Sequence, residues 1–190
     1  MIALVTGGSG SGKSAWAEGL AARLCPGEKV YIATMRAWGA EGAARVARHR
    51  ALRAGKRFVT VERPLDLAGL AREGVWAGKT ALLECTSNLL ANEMFDADGA
   101  GVEAVPAILA GFRALAGKAE NLIIVTKEIF SDGVTYDPDT ARYIACLGEI
   151  NRALAALADC AVEVVYGIPL VLKGAEKLPE RWRGGDCEGE

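Results

Sequence analysis

Directly after the apolar run Ile2–Thr6, the chain reads Gly7-Gly8-Ser9-Gly10-Ser11-Gly12-Lys13-Ser14. This is the G-x-x-x-x-G-K-[ST] spacing of a phosphate-binding loop. Glycines allow the backbone to wrap closely round a phosphate, so that successive N–H groups face its oxygens. Lys13 adds a cation on a flexible stem that reaches the β- and γ-phosphates. Ser14 offers a hydroxyl to Mg²⁺, and a helix starting here would bring the positive end of its dipole to the same point. The segment predicts a site for a nucleoside triphosphate.

A second group of residues lies in 41–53, which holds the only histidine of the sequence. On a helix, Arg45, His49 and Arg53 follow one another at i, i+4 and i+8 and share a face. Flanking guanidinium groups favour a neutral, nucleophilic imidazole and can hold phosphate oxygens. Spacing alone favours a solvated basic face carrying an incidental histidine. Glu84 follows the apolar run Ala81-Leu82-Leu83, where a carboxylate can hold Mg²⁺ directly or through water, or can simply face solvent. Thr126-Lys127-Glu128 could add a cation and an acid to the same rim, or form a local ion pair. Arg142 reads as an exposed helical arginine, and Trp16, Trp38 and Trp76 as packing residues. Gly167 and Pro169 read as the turn that ends the final strand.

The elements that would position these groups alternate along the chain. Short apolar runs predict strands at Ile2–Thr6, Val30–Thr34, Thr80–Glu84, Leu122–Thr126 and Val162–Tyr166, with a weaker one at Arg57–Glu62. Helical spacings fall at about 13–24, 41–53, 65–73, 88–95, 102–117 and 139–158. The pattern predicts a P-loop NTPase-like α/β fold, a mostly parallel sheet with helices on both faces. Ligands in such folds sit beyond the carboxyl ends of the strands. One domain over 1–173 and a polar tail over 174–190 are expected.

Composition narrows the class further. The 190 residues are 51% hydrophobic and 24% charged, as in globular enzymes, and a net charge of −2 argues against a nucleic-acid surface. Five scattered cysteines (Cys25, Cys85, Cys146, Cys160, Cys187) form no C-x-x-C pair, which suits a reducing cytoplasm. No run approaches the roughly 18 apolar residues of a membrane span.

Taken in order, these motifs resemble the bifunctional adenosylcobinamide kinase / adenosylcobinamide-phosphate guanylyltransferase family. The likeness runs from Met1 to about Lys173. It rests on Leu4-Val5-Thr6-Gly7-Gly8 with Ser11-Gly12-Lys13-Ser14, on Tyr31-Ile32-Ala33-Thr34, and on Ala44-Arg45-Val46 leading to His49-Arg50. Thr60-Val61-Glu62, Leu83-Glu84-Cys85, Asn88-Leu89-Leu90, Glu128, Gly148, Asn151, Ala158-Asp159 and Gly167-Ile168-Pro169 with Lys173 continue it. The resemblance implies phosphorylation of the aminopropanol hydroxyl of adenosylcobinamide by ATP or GTP. It also implies transfer of GMP from GTP through a guanylyl-histidine, the matching position being His49. Nucleotide contacts are implied at Gly7, Gly8, Ser9, Gly10, Ser11, Gly12, Lys13, Ser14, Ala33, Thr34, Met35, Arg50, Ala51, Leu52, Arg53, Glu62 and Glu84. Mg²⁺ is implied at Ser14 and Glu84, and the assembly implied is a homotrimer. The chain departs from the family pattern at Gly10, where a basic residue is common, and at Lys127, where asparagine is usual. Ile129-Phe130-Ser131-Asp132-Gly133 replaces a glycine-rich turn, and the segment after His49 is one residue longer. A P-loop kinase of another small molecule, or a non-catalytic nucleotide-binding module, would share the loop but not the histidine chemistry.

Overall fold

A computed structural model describes residues 1–36, 55–73, 78–130 and 133–182. The predicted helix over 41–53, with Arg45, His49, Arg50, Ala51, Leu52 and Arg53, lies outside the described residues, as do Trp38, Trp76 and Cys187.

Among the described residues, seven strands form one sheet in the order β3-β2-β4-β5-β1-β6-β7. They are β1 (Ile2–Thr6), β2 (Lys29–Ala33), β3 (Phe58–Glu62), β4 (Thr80–Leu83), β5 (Asn121–Val125), β6 (Cys160–Val165) and β7 (Ile168–Lys173). The first six pair in parallel, and β7 returns antiparallel to β6. The described helices are α1 (Lys13–Leu24), α2 (Leu67–Arg72), α3 (Thr86–Phe95), α4 (Ala104–Ala116) and α5 (Pro138–Leu157).

The unbroken apolar runs follow from burial on both faces of the sheet. Leu4, Ile32, Leu83 and Ile124 point to one side, where they pack with Leu70, Leu89, Phe112 and Ile150 of α2, α3, α4 and α5. Ala3, Val5, Tyr31, Leu82, Ile123 and Val125 point to the other, against Trp16, Ala17, Leu20 and Ala21 of α1. Leu178 is buried in that second layer, and the Trp182 ring meets Trp16 edge-on at 4.8 Å, so residues 175–182 cover α1. α2 and α4 cross closely because Gly111 lacks a Cβ, which would lie 2.5 Å from the Leu67 Cβ.

The seventh strand corrects the sequence reading at Gly167 and Pro169. Tyr166 and Gly167, at φ 51° and 83°, make the turn of a tight hairpin, and Pro169 lies inside β7 opposite Val164. An edge strand tolerates a proline because its missing N–H is needed by no further neighbour. Pro138 opens α5, where the absent N–H costs nothing, while Asp137 caps it by accepting from the Asp139 and Thr140 amides at 3.0 Å.

Candidate active site

The parallel strands all end on one edge, and β1 runs there into the phosphate-binding loop. Gly7 has φ 147°, and a Cβ on it would lie 2.4 Å from the Val164 carbonyl and 2.7 Å from Ser11 Oγ. Gly10 and Gly12 have φ 74° and 90°. A Cβ on Gly12 would lie 3.3 Å from the Gly167 Cα, so the β6–β7 turn presses against the loop and its Gly167 amide donates to Ser11 O at 2.8 Å. On the other side the Glu128 amide donates to Gly7 O at 3.2 Å. The loop is thus held from both neighbouring strands.

What the loop presents is suited to an anion. Gly12 is the N-cap of α1 and supplies no side-chain cap, leaving the first amides of the helix to face outward. Lys13 is 8% exposed, and its Nζ donates to Gly8 O at 2.7 Å. Burial lowers its pKa below the ordinary lysine value; charge on Cys85 opposes the shift and the Lys127 ammonium adds to it. A buried ammonium bonded to a neutral carbonyl favours any anion that can reach it. Ser11 Oγ is also buried, with no hydrogen-bond partner among the described residues. Ser9, Gly10 and Ser14 are exposed along the outer side of the loop.

The other predicted site residues line the same edge at increasing distance from β1. Lys127 and Glu128 follow β5, the immediate neighbour of β1. Glu84 follows β4, two strands away, and its side chain is buried, which overturns the solvent-facing alternative. α1, which begins with Lys13 and Ser14, packs across β4 and β5 as well as β6. An exposed hydroxyl and a carboxylate are hard oxygen donors that fit Mg²⁺. No group of three or more His, Cys, Asp or Glu able to cage a metal occurs among the described residues. Ala33, Thr34 and Met35 leave β2, three strands from β1, and Glu62 is exposed at the end of edge strand β3. At roughly 4.8 Å per strand, β3 lies about 19 Å from β1.

A set of buried and half-buried polar groups fixes this edge. Asn92 of α3 donates to the carbonyls of Thr34 at 2.9 Å and Pro64 at 3.0 Å, tying the ends of β2 and β3 to one helix. The buried Glu93 carboxylate accepts from the amides of Asp66 at 2.8 Å and Ala100 at 3.0 Å. Thr34 Oγ1 donates to Cys85 O at 2.9 Å. Asn151 accepts from Thr126 Oγ1 at 2.7 Å and donates to Lys127 O at 3.2 Å, holding the strand end that carries Lys127 and Glu128. Asn92 and Glu93 sit in an amphipathic helix, and only their tertiary partners reveal what they do. Arg142 is exposed on α5, as expected.

Comparison with known proteins agrees with this geometry. The model of the cobinamide kinase / cobinamide phosphate guanyltransferase family matches residues 3–172. The bifunctional adenosylcobalamin biosynthesis protein CobP of Pseudomonas aeruginosa is 34% identical over 173 residues, covering 90% of this chain and 96% of the relative. The bifunctional adenosylcobalamin biosynthesis protein CobU of Escherichia coli is 32% identical over 185 residues, 91% of this chain and the whole relative. Its Salmonella typhimurium counterpart of the same name is 31% identical over 185 residues. With a phosphate-binding loop at the strand edge and a match over nearly its whole length, the chain belongs to the cobinamide kinase / cobinamide phosphate guanyltransferase family.

Proposed function

We propose that this enzyme phosphorylates adenosylcobinamide with ATP or GTP and then converts the product to adenosylcobinamide-GDP with GTP. The observation that carries the reading is the buried Lys13 ammonium, bonded to the Gly8 carbonyl beside the uncapped start of α1, within a chain matched to the family from residue 3 to 172. In the first reaction the acceptor hydroxyl oxygen bonds to the γ-phosphorus as the β–γ bridge breaks, releasing the nucleoside diphosphate and the hydroxyl proton. Lys13 and the loop amides balance charge on the phosphoryl oxygens. Mg²⁺ held by Ser14 and Glu84 would neutralise charge on the bound phosphates.

In the second reaction His49 is the nucleophile. Its neutral imidazole nitrogen bonds to the α-phosphorus of GTP and pyrophosphate leaves. A phosphate oxygen of the acceptor then displaces the imidazole, breaking the P–N bond and delivering GMP. One displacement between two anions becomes two at the same phosphorus, with the neutral imidazole nitrogen as nucleophile in the first and leaving group in the second. Arg50, Ala51, Leu52 and Arg53 belong with the nucleotide in this scheme. Ala33, Thr34, Met35 and Glu62, far from β1 along the edge, belong with its ribose and base. The reading is tested by following transfer of the γ-phosphate of labelled ATP, then of the α-phosphate of labelled GTP, to adenosylcobinamide; no labelled corrinoid in either assay refutes it.

We further infer a homotrimer in the cytoplasm. On β7 the alternate residues Ile168, Leu170 and Leu172 are 52%, 46% and 63% exposed, an apolar stripe on an edge strand that a second copy would cover. Cys25, Cys85, Cys146 and Cys160 are free thiols, as a reducing compartment keeps them. Light scattering of the eluting protein gives the assembly directly.

A further inference from the structure

Beside the phosphate-binding loop lies an open cleft of 550 Å³. Ser9 of the loop and Glu128, just past β5, form its inner end. Ile129, Tyr136, Tyr143 and Ile144 form apolar walls, with Thr140 between the two tyrosines on the α5 side. We propose that this cleft is the acceptor subsite and takes an amide-linked hydroxyalkyl arm, the hydroxyl directed at Glu128 and the loop, while the macrocycle stays outside. The proposal rests on the reading of the chain as a kinase of such an alcohol.

Three observations carry it. The first is position, because Ser9 belongs to both loop and cleft and the Glu128 amide is bonded to Gly7 O. A hydroxyl at the inner end therefore lies next to the terminal phosphate bound by the loop. The second is chemistry. The Tyr143 hydroxyl donates to Ser87 O at 3.0 Å, and Thr140 Oγ1 donates to Asp137 Oδ2 at 2.6 Å. These polar groups are engaged away from the cleft, so the walls offer hydrocarbon and ring surface and few groups to read a purine edge. An alkyl arm with one hydroxyl matches that surface, and Glu128, whose Oε1 accepts from the Phe130 amide at 2.8 Å, is a fixed carboxylate for that hydroxyl to donate to. The third is size, since 550 Å³ suits a side chain and the rim of a corrin but not the whole ring system.

Steady-state kinetics of Ile144→Trp and Tyr136→Ala with adenosylcobinamide and ATP test it. Ile144→Trp fills the cleft, while Tyr136, in the exposed stretch 133–137 before α5, can be truncated without disturbing the core. Each variant should raise the acceptor KM roughly 10-fold or more, in the range of one lost or blocked apolar contact. The ATP KM and the yield of GMP adduct from GTP should stay within about 2-fold of wild type, since neither uses the cleft. An unchanged acceptor KM in both variants overturns the subsite while leaving the kinase reading intact. A parallel rise in the ATP KM assigns the cleft to the nucleotide and also overturns it. Absence of turnover by the wild-type enzyme overturns the kinase reading and the subsite with it.

Discussion

Replacing Gly7 by alanine perturbs one atom at the tightest point of the active site. The new Cβ would lie 2.4 Å from the Val164 carbonyl oxygen and 2.7 Å from Ser11 Oγ, on a residue at φ 147°. The dihedral alone costs an L-residue about 1–3 kcal/mol. Relieving the overlap adds about 1–3 kcal/mol, because Val164 is a buried strand residue and cannot give way cheaply. A total of about 2–6 kcal/mol corresponds to a melting temperature lower by about 4–24 °C in a protein of this length. Movement of the loop away from Val164 also disturbs the Glu128 amide bond to Gly7 O and the register of the amides that face phosphate. GTP affinity should therefore fall with stability. Gly8→Ala is the matched control: its Cβ meets nothing within 4 Å, and its melting temperature should stay within the roughly 0.5 kcal/mol scatter of surface changes. Calorimetric melting and GTP titration of both variants measure this. A Gly7→Ala protein that melts and binds GTP like wild type refutes the reasoning.

Other expected outcomes follow from the same geometry. Lys13→Ala should fold normally, because it removes a buried cation bonded to a neutral carbonyl, yet lower both phosphoryl and guanylyl transfer by about 10²-fold or more, as loss of a charge-stabilising donor does; retained kinase turnover in a rate assay contradicts this. Glu84→Gln should raise the Mg²⁺ concentration needed for half-maximal activity by about 10–100-fold, and an unchanged metal titration removes Glu84 from the metal site. Burial pushes the Cys160 thiol up to about 11, whereas the unfolded thiol titrates near 9.0. Below pH 9 both states hold the proton; between 9 and 11 the unfolded chain releases it first, so folded stability should fall over that window by up to about 3 kcal/mol. Denaturant melts of wild type and Cys160→Ala across that range should converge as pH rises, and parallel curves would contradict the assignment.

The phosphate-binding loop was legible because its requirements are local. Gly7, Gly10 and Gly12 stand where the backbone takes φ values that only glycine adopts easily, and Lys13-Ser14 follows at fixed spacing. The parallel strands were legible because burial on two faces leaves an unbroken apolar run, as in Asn121–Val125. β7 escaped notice for the opposite reason. Its residues alternate between half-buried and exposed, Pro169 breaks the strand pattern, and its place depends on pairing with β6. The bonds of Asn92 and Glu93 were equally silent, since each side chain bonds to backbone brought near by the fold, and the resemblance that included Asn151 gave it no structural task. The walls of the cleft, from Ile129 and from the turn and helix around Tyr136 and Ile144, meet only when α5 docks beside β5. Family resemblance located His49, but spacing alone favoured a solvated basic face over a nucleophile.

The central claim is that GMP passes through His49, and intact-protein mass spectrometry after incubation with GTP and Mg²⁺ tests it most directly. Wild type should gain the mass of one GMP, lost on acid treatment and absent from His49→Ala, while His49→Ala keeps kinase turnover because that step uses the loop and the acceptor hydroxyl. A wild-type protein that gains no mass, or a His49→Ala protein that gains the same mass, contradicts the account.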